Sequence, residues 1–131
     1  MTMTPLDIFI GAKQALADKG WTKNTMVDDN GCVCTLGALN VAAFGDPLGG
    51  LSDQDADKRA VRTDAVRILE SLIPADLLGT YTDERYDSDS DRWVTEELPV
   101  DPDVADFNDR EETELGDIFA LLDLAIDKVT V

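Results

Sequence analysis

Residues 4–21 read TPLDIFIGAKQALADKGW, a helix marked at both ends. Thr4 stands at the N-cap, and Pro5 fills the first helical position, where a missing N–H costs nothing. Asp7 follows three residues after the cap. Ile8, Phe9, Ala12 and Leu16 then fall on one face, with Asp7, Gln14 and Asp18 opposite, which is the spacing of an amphipathic helix. Gly20 is placed to end it, and Trp21 to fold back as the apolar residue beyond a C-terminal glycine.

Beyond Trp21 the period changes. Asn30-Gly31 is a two-residue hairpin signal, because both positions tolerate positive φ, and Thr25–Asp28 with Cys32–Cys34 would be its short arms on a helical layer. Leu36–Phe44 is apolar on nearly every side, as in a buried helix. There Gly37 permits a close neighbour, and Gly45 with Pro47 stops the run. Ser52 is placed to cap a longer helix, with Asp53, Asp55 and Asp57 at its positive end. Its buried face is Val61, Ala65, Ile68, Leu69 and Leu72, and Pro74 ends it. Thr80–Arg110 reads as a long irregular acidic segment pinned by Tyr81, Tyr86 and Trp93, with Arg92–Glu96 as a short edge strand. A last helix starts at a Thr113 cap and runs to about Val129, burying Leu115, Ile118, Phe119, Leu122, Ala125 and Ile126, with Leu121 and Leu124 widening the apolar surface.

The fold class that follows is mainly α, with α+β as the alternative: about four helices, a small β-hairpin and a long acidic loop. Residues 1–131 are expected to form a single domain, with residues 80–110 its irregular acidic segment.

Charge is the strongest compositional signal. There are 28 acidic residues against 11 basic ones, a formal net charge of −17. Eighteen of the acids and only four of the bases lie after Glu70. Such a field repels nucleic acid and anionic membranes and attracts basic surfaces. Apolar content is 44%, enough for a core. No stretch approaches the roughly 20 apolar residues of a membrane span, and the N-terminus lacks the pattern of a signal peptide, so a cytoplasmic location is expected. The chain has no histidine, which removes Ser-His-Asp and Cys-His catalysis. No cofactor is implied.

Three constellations are candidates for chemistry. Cys32-Val33-Cys34 puts two thiols on one face of a strand, but a zinc site needs two further ligands, and there is neither histidine nor a third cysteine. Cys34 also precedes a helix, whose N-terminus lowers a thiol pKa; two reduced structural thiols are expected. Asp87-Ser88-Asp89-Ser90-Asp91 begins as a calcium loop begins. Arg92 then stands where glycine allows the sharp turn, and Leu98 where the bidentate glutamate belongs. A solvated acidic loop is the simpler reading. Phe107-Asn108-Asp109-Arg110 carries turn formers that satisfy backbone groups near a helix start.

Gly20-Trp21-Thr22, Cys34-Thr35-Leu36-Gly37-Ala38-Leu39, Phe107-Asn108-Asp109 and the closing Leu121-Leu122-Asp123-Leu124-Ala125 occur in an order that resembles a family of uncharacterised small domains from actinobacteria and their phages. The pattern spans nearly the whole chain. Departures are Phe107 where tryptophan is usual and an enlarged acidic insertion from Thr80 to Asp106. The resemblance implies a phage or actinobacterial origin and brings no activity with it.

The expected function is non-catalytic: an acidic binding protein, phage-encoded in the reading the resemblance suggests, that meets a basic host protein in the host cytoplasm. Its surface would be Asp83, Glu84, Asp87, Asp89, Asp91, Glu96, Glu97, Asp101 and Asp103. Nucleic-acid mimicry is one version, in which carboxylates stand in for phosphates; direct nucleic-acid or membrane binding is not expected. The alternative from another class is a small enzyme using paired carboxylates, Asp106 and Asp109 with Asn108, with or without a divalent cation. A third reading is a solvating protein without a specific ligand.

Overall fold

Helix α1 (Pro5–Lys19) forms as its ends dictate. The Thr4 hydroxyl accepts from the Asp7 N–H at 3.4 Å, and the Asp7 carboxylate accepts from the Thr4 N–H at 2.9 Å. This is a reciprocal capping box with Asp in the acidic position. At the other end Gly20 takes φ 89°, and its N–H reaches the Leu16 carbonyl at 3.0 Å. The computed structural model describes residues 3–49, 56–74, 77–99 and 103–130. Among them are five helices and two strands, so the chain is mainly α with a small β-hairpin.

Helix α1 is the hub. It packs on α2 (Thr35–Phe44), α3 (Ala56–Leu72) and α5 (Leu115–Thr130). Ile8, Phe9 and Leu16 of α1 are buried with Leu39, Leu69, Ile118 and Leu122 of the other three. Burying each such side chain is worth about 1.5–3 kcal/mol, so this cluster is the main source of stability. The α1–α2 approach depends on Gly11, where an added Cβ would lie 2.8 Å from the Ala42 Cβ. A Lys13–Asp123 ion pair at 2.5 Å ties α1 to α5 at the surface, where such pairs contribute little.

Helix α2 is capped at its start by Cys34 and at its end by Gly45, in the left-handed region at φ 78°. The close neighbour expected at Gly37 is the Met26 carbonyl, 2.4 Å from where a Cβ would sit. The Ser52 cap, with Asp53 and Asp55, lies outside the described residues. Helix α5 begins after Glu114, whose N–H donates to the Asp117 carboxylate at 2.8 Å. Thr113 is therefore not the cap. It is buried, and its N–H is bonded to the Arg110 carbonyl at 3.1 Å, closing the turn after α4. Leu121 belongs to the core, while Leu124 stays exposed.

The strands lie elsewhere than the Asn30-Gly31 signal suggests. The turn there is real: the Asp28 N–H bonds the Cys32 carbonyl at 2.9 Å, and Gly31 takes φ 86°. The Asp28 carboxylate also accepts from the N–H groups of Asn30 and Cys32. But no ladder forms along the expected arms: Asn24, just before the first, takes φ 67°, and Val33 makes only isolated bridges, to Val27 and to Trp21. The hairpin is instead β1 (Thr80–Asp87) with β2 (Arg92–Pro99), antiparallel from Thr80↔Pro99 to Asp87↔Arg92. A fifth helix, α4 (Val104–Asp109), follows. Where residues 80–110 were expected to be irregular apart from a strand at Arg92–Glu96, the described ones form a hairpin, whose β2 contains that strand, and a helix. Threonine, tyrosine, tryptophan and valine on either side of an Asp-Ser turn fit a pleated ribbon.

Candidate functional site

Three of the four sequence pieces, Gly20-Trp21-Thr22, Cys34-Thr35 and Phe107-Asn108-Asp109, come together around one buried side chain. Asn108 sits on α4, and its carbonyl oxygen accepts from the Trp21 indole N–H at 2.7 Å, the Thr35 N–H at 2.9 Å and the Thr35 hydroxyl at 2.7 Å. Its amide donates to the Thr22 carbonyl at 3.1 Å and to the Asp109 carboxylate at 2.9 Å. Asp109 in turn accepts from the Asn24 N–H at 2.7 Å. Lys23 stands over the Trp21 ring and donates to the Arg110 carbonyl. Both polar side-chain atoms of Asn108 are engaged inside the protein, so this side chain joins segments rather than presenting a free group.

A shallow cleft beside this cluster is lined by Asn24, Met26, Cys34, Leu36, Asn108 and Asp109 among others. Burial pushes the Cys34 thiol above its ordinary pKa, against the lowering effect of the Gly37 N–H that caps onto its sulfur. Desolvation outweighs the helix terminus here, and the thiol stays protonated near neutrality. Asp106 and Asp109 line different depressions: Asp106 opens toward Leu77, Arg110 and Glu112. Among the described residues the two carboxylates thus border separate depressions.

The acidic residues separate into groups. Asp83, Glu84 and Asp87 lie on β1, Glu96 and Glu97 on β2, and Asp89 and Asp91 in the turn between them. Asp103 lies apart from the hairpin, and its carboxylate caps α4, accepting from the N–H groups of Ala105 and Asp106. Asp101 lies outside the described residues. Asp87 holds the turn, accepting from the Asp89 N–H at 3.0 Å and the Ser90 hydroxyl at 2.9 Å. These bonds, that from Ser90 foremost, lower its pKa below the ordinary 3.8. Asp91 accepts from the Tyr86 hydroxyl and takes φ 53°.

The pleat gives the hairpin two unlike faces. One carries Tyr81, Asp83, Arg85 and Asp87 with Arg92, Val94, Glu96 and Leu98. Asp83, Asp87, Val94 and Leu98 are half-buried there. Asp83 stands directly opposite Glu96, a repulsive cross-strand pair, and Arg85 offsets it with an ion pair to Glu96 at 3.6 Å. The other face carries Thr80, Thr82, Glu84 and Tyr86 with Trp93, Thr95 and Glu97, all exposed. Tyr86 and Trp93 pair across the strands edge to face, with centroids 5.8 Å apart. Trp93 is 71% exposed and Tyr86 51%, so neither pins the ribbon to the helices. Sequence reasoning missed this aromatic pair as a surface feature; the available signal was one aromatic on each side of the Asp-Ser turn.

Comparison with known proteins matches the chain to a protein family. The model of the Family of unknown function (DUF6197) covers residues 1–128. No curated protein and no solved structure matches the chain.

Proposed function

The chain belongs to the Family of unknown function (DUF6197), and from that premise we propose that it is a non-catalytic acidic binding protein whose β1–β2 hairpin meets a basic protein partner. The observation that carries this reading is the hairpin's outer face, which leaves Glu84, Glu97, Tyr86 and Trp93 exposed together. Exposed large aromatics on a monomer surface commonly mark interaction sites, and tryptophan and tyrosine dominate binding energy at interfaces. The net charge of −17 selects the sign of the partner and speeds encounter with it. The outer face interleaves two carboxylates with threonines and aromatics, a pattern that suits basic side chains better than mimicry of the dense charge of DNA. A phage origin fits the same reading, with the partner a host protein.

The test compares the wild type with a variant carrying Glu84→Gln, Asp89→Asn and Glu97→Gln. Each protein is immobilised and exposed to cell extract over a salt series. The expected result is a basic protein retained by the wild type at low salt, released as salt rises, and retained poorly by the variant. Equal retention by both at low salt would move the interaction surface away from the hairpin.

A further inference from the structure

We infer that the outer face of the hairpin reads arginine side chains presented at alternate positions of an extended segment of a partner protein. This rests on the basic-partner reading above and adds the chemistry of recognition.

Along β1 the outer face presents Tyr86, Glu84 and Thr82 in turn, and along β2 Trp93, Thr95 and Glu97. Side chains on one face of a strand recur about every 6.8 Å, and an extended peptide has the same repeat. A segment lying along the ribbon therefore places every second residue in step with these rungs. A cation over the Tyr86–Trp93 rung is followed by one beside Glu84 and one beside Glu97.

The aromatic rung favours a guanidinium over an ammonium. These two exposed rings attract a cation, and a planar guanidinium also stacks on an aromatic face and bonds a carboxylate with two parallel N–H groups. The Tyr86 hydroxyl donates to Asp91, which orients that ring before any partner arrives. The hairpin's own cations do not compete, because Arg85 and Arg92 are on the opposite face, and Arg85 is paired with Glu96. A second copy of the chain is a poor occupant: it would bring Glu84 and Glu97 against like charges, on a protein already at −17. Nucleic acid and anionic lipid are repelled for the same reason.

The test uses three synthetic nonapeptides of alternating threonine and a variable residue, which is arginine, lysine or the neutral isostere citrulline. Binding is followed by NMR on the whole chain, whose two tryptophans give separate indole N–H signals. Trp93 is exposed, and Trp21 is bonded to Asn108. The arginine peptide is expected to shift the Trp93 signal and leave Trp21 unmoved. It should bind more tightly than the lysine peptide, and the citrulline peptide should bind weakest. Trp93→Ala should weaken the arginine peptide roughly 2- to 30-fold, the range of a cation–π contact.

The citrulline comparison leaves the protein unaltered, so the inference stays testable even if Trp93→Ala unpairs the strands. Equal affinity for arginine and citrulline, or an unmoved Trp93 signal on binding, would overturn the arginine inference. If the arginine peptide binds with shifts confined to the turn or the opposite face, that inference falls while the acidic-binding reading stands. If neither the arginine nor the lysine peptide binds at low salt, both fall.

Discussion

The indole N–H of Trp21 and the side-chain carbonyl of Asn108, 87 residues apart in the chain, meet at 2.7 Å. The same oxygen also accepts from the backbone and hydroxyl of Thr35, so one asparagine joins the end of α1, the start of α2 and α4. Asn108→Ala would leave three donors and the Thr22 carbonyl without their partner, each costing about 1–3 kcal/mol when buried. A loss of roughly 3 kcal/mol or more is expected in urea unfolding. A loss under 1 kcal/mol would mean that water replaces the side chain without penalty.

Two glycines should respond with opposite signs. At Gly37 an added methyl would sit 2.4 Å from the Met26 carbonyl, a backbone atom that cannot swing away. Gly37→Ala is expected to cost about 1–3 kcal/mol, as overpacking does. At Gly116, in the first turn of α5, the methyl meets nothing within 4 Å. Gly116→Ala should be stabilising by about 0.5 kcal/mol through helix propensity. Thermal unfolding of both variants reads the contrast.

The cysteine thiols give a pH prediction. Burial raises the Cys34 pKa from its ordinary 9.0. For a group whose folded pKa is raised, stability is fully present below the unfolded value and is lost as pH rises through the folded one. The protein should therefore weaken above about pH 9, and Cys34→Ser should reduce that alkaline loss. Alkylation near neutral pH should reach the half-buried Cys32 first and Cys34 only slowly.

Asp87 predicts the opposite limb. Hydrogen bonds, the Ser90 hydroxyl first, hold its carboxyl below 3.8. The turn is then fully supported above about pH 4, and its support falls as pH drops through the lowered value. NMR signals of Asp89 and Ser90 should report the Asp87 titration, and Ser90→Ala should move it back toward 3.8.

Much of the helical body could be read ahead of the structure because its signals are local. Thr4, Pro5 and Asp7 define a cap by themselves, and the α5 stripe recurs at helical spacing. Thr113 was misassigned because a threonine before a helix suits both a cap and a buried turn, and burial is decided by distant residues. Of the hairpin, the strand at Arg92–Glu96 was legible, and its pairing with β1 was hidden for a similar reason. Its strands lack an alternation of apolar and polar residues, since one face is solvated and the other only half-buried. Thr80-Tyr81-Thr82 and Trp93-Val94-Thr95 carried the β-propensity, but the acidic residues between them looked like a solvated loop. Of the acids expected to form the surface, those from Asp83 to Glu97 lie on the hairpin and its turn, while Asp103 caps α4, a role that could not be read before α4 was known. The Tyr86–Trp93 pairing could not be seen before the register was known.

The pairing of Thr80 with Pro99 sets the two ends of the ribbon side by side, within about 6 Å of each other at their Cα atoms. An excursion that leaves and returns at one point is closed by a short join whatever its length, so the entropy of closure changes little when it grows or shrinks. Among the described residues neither strand packs extensively on a helix. Natural variation is thus expected to concentrate in this ribbon, in its length, turn and outward residues, while the helices beneath stay fixed by Asn108 and the α1 core. The same geometry makes residues 80–99 a graft point, where a different ribbon could be exchanged to redirect the protein to a new target.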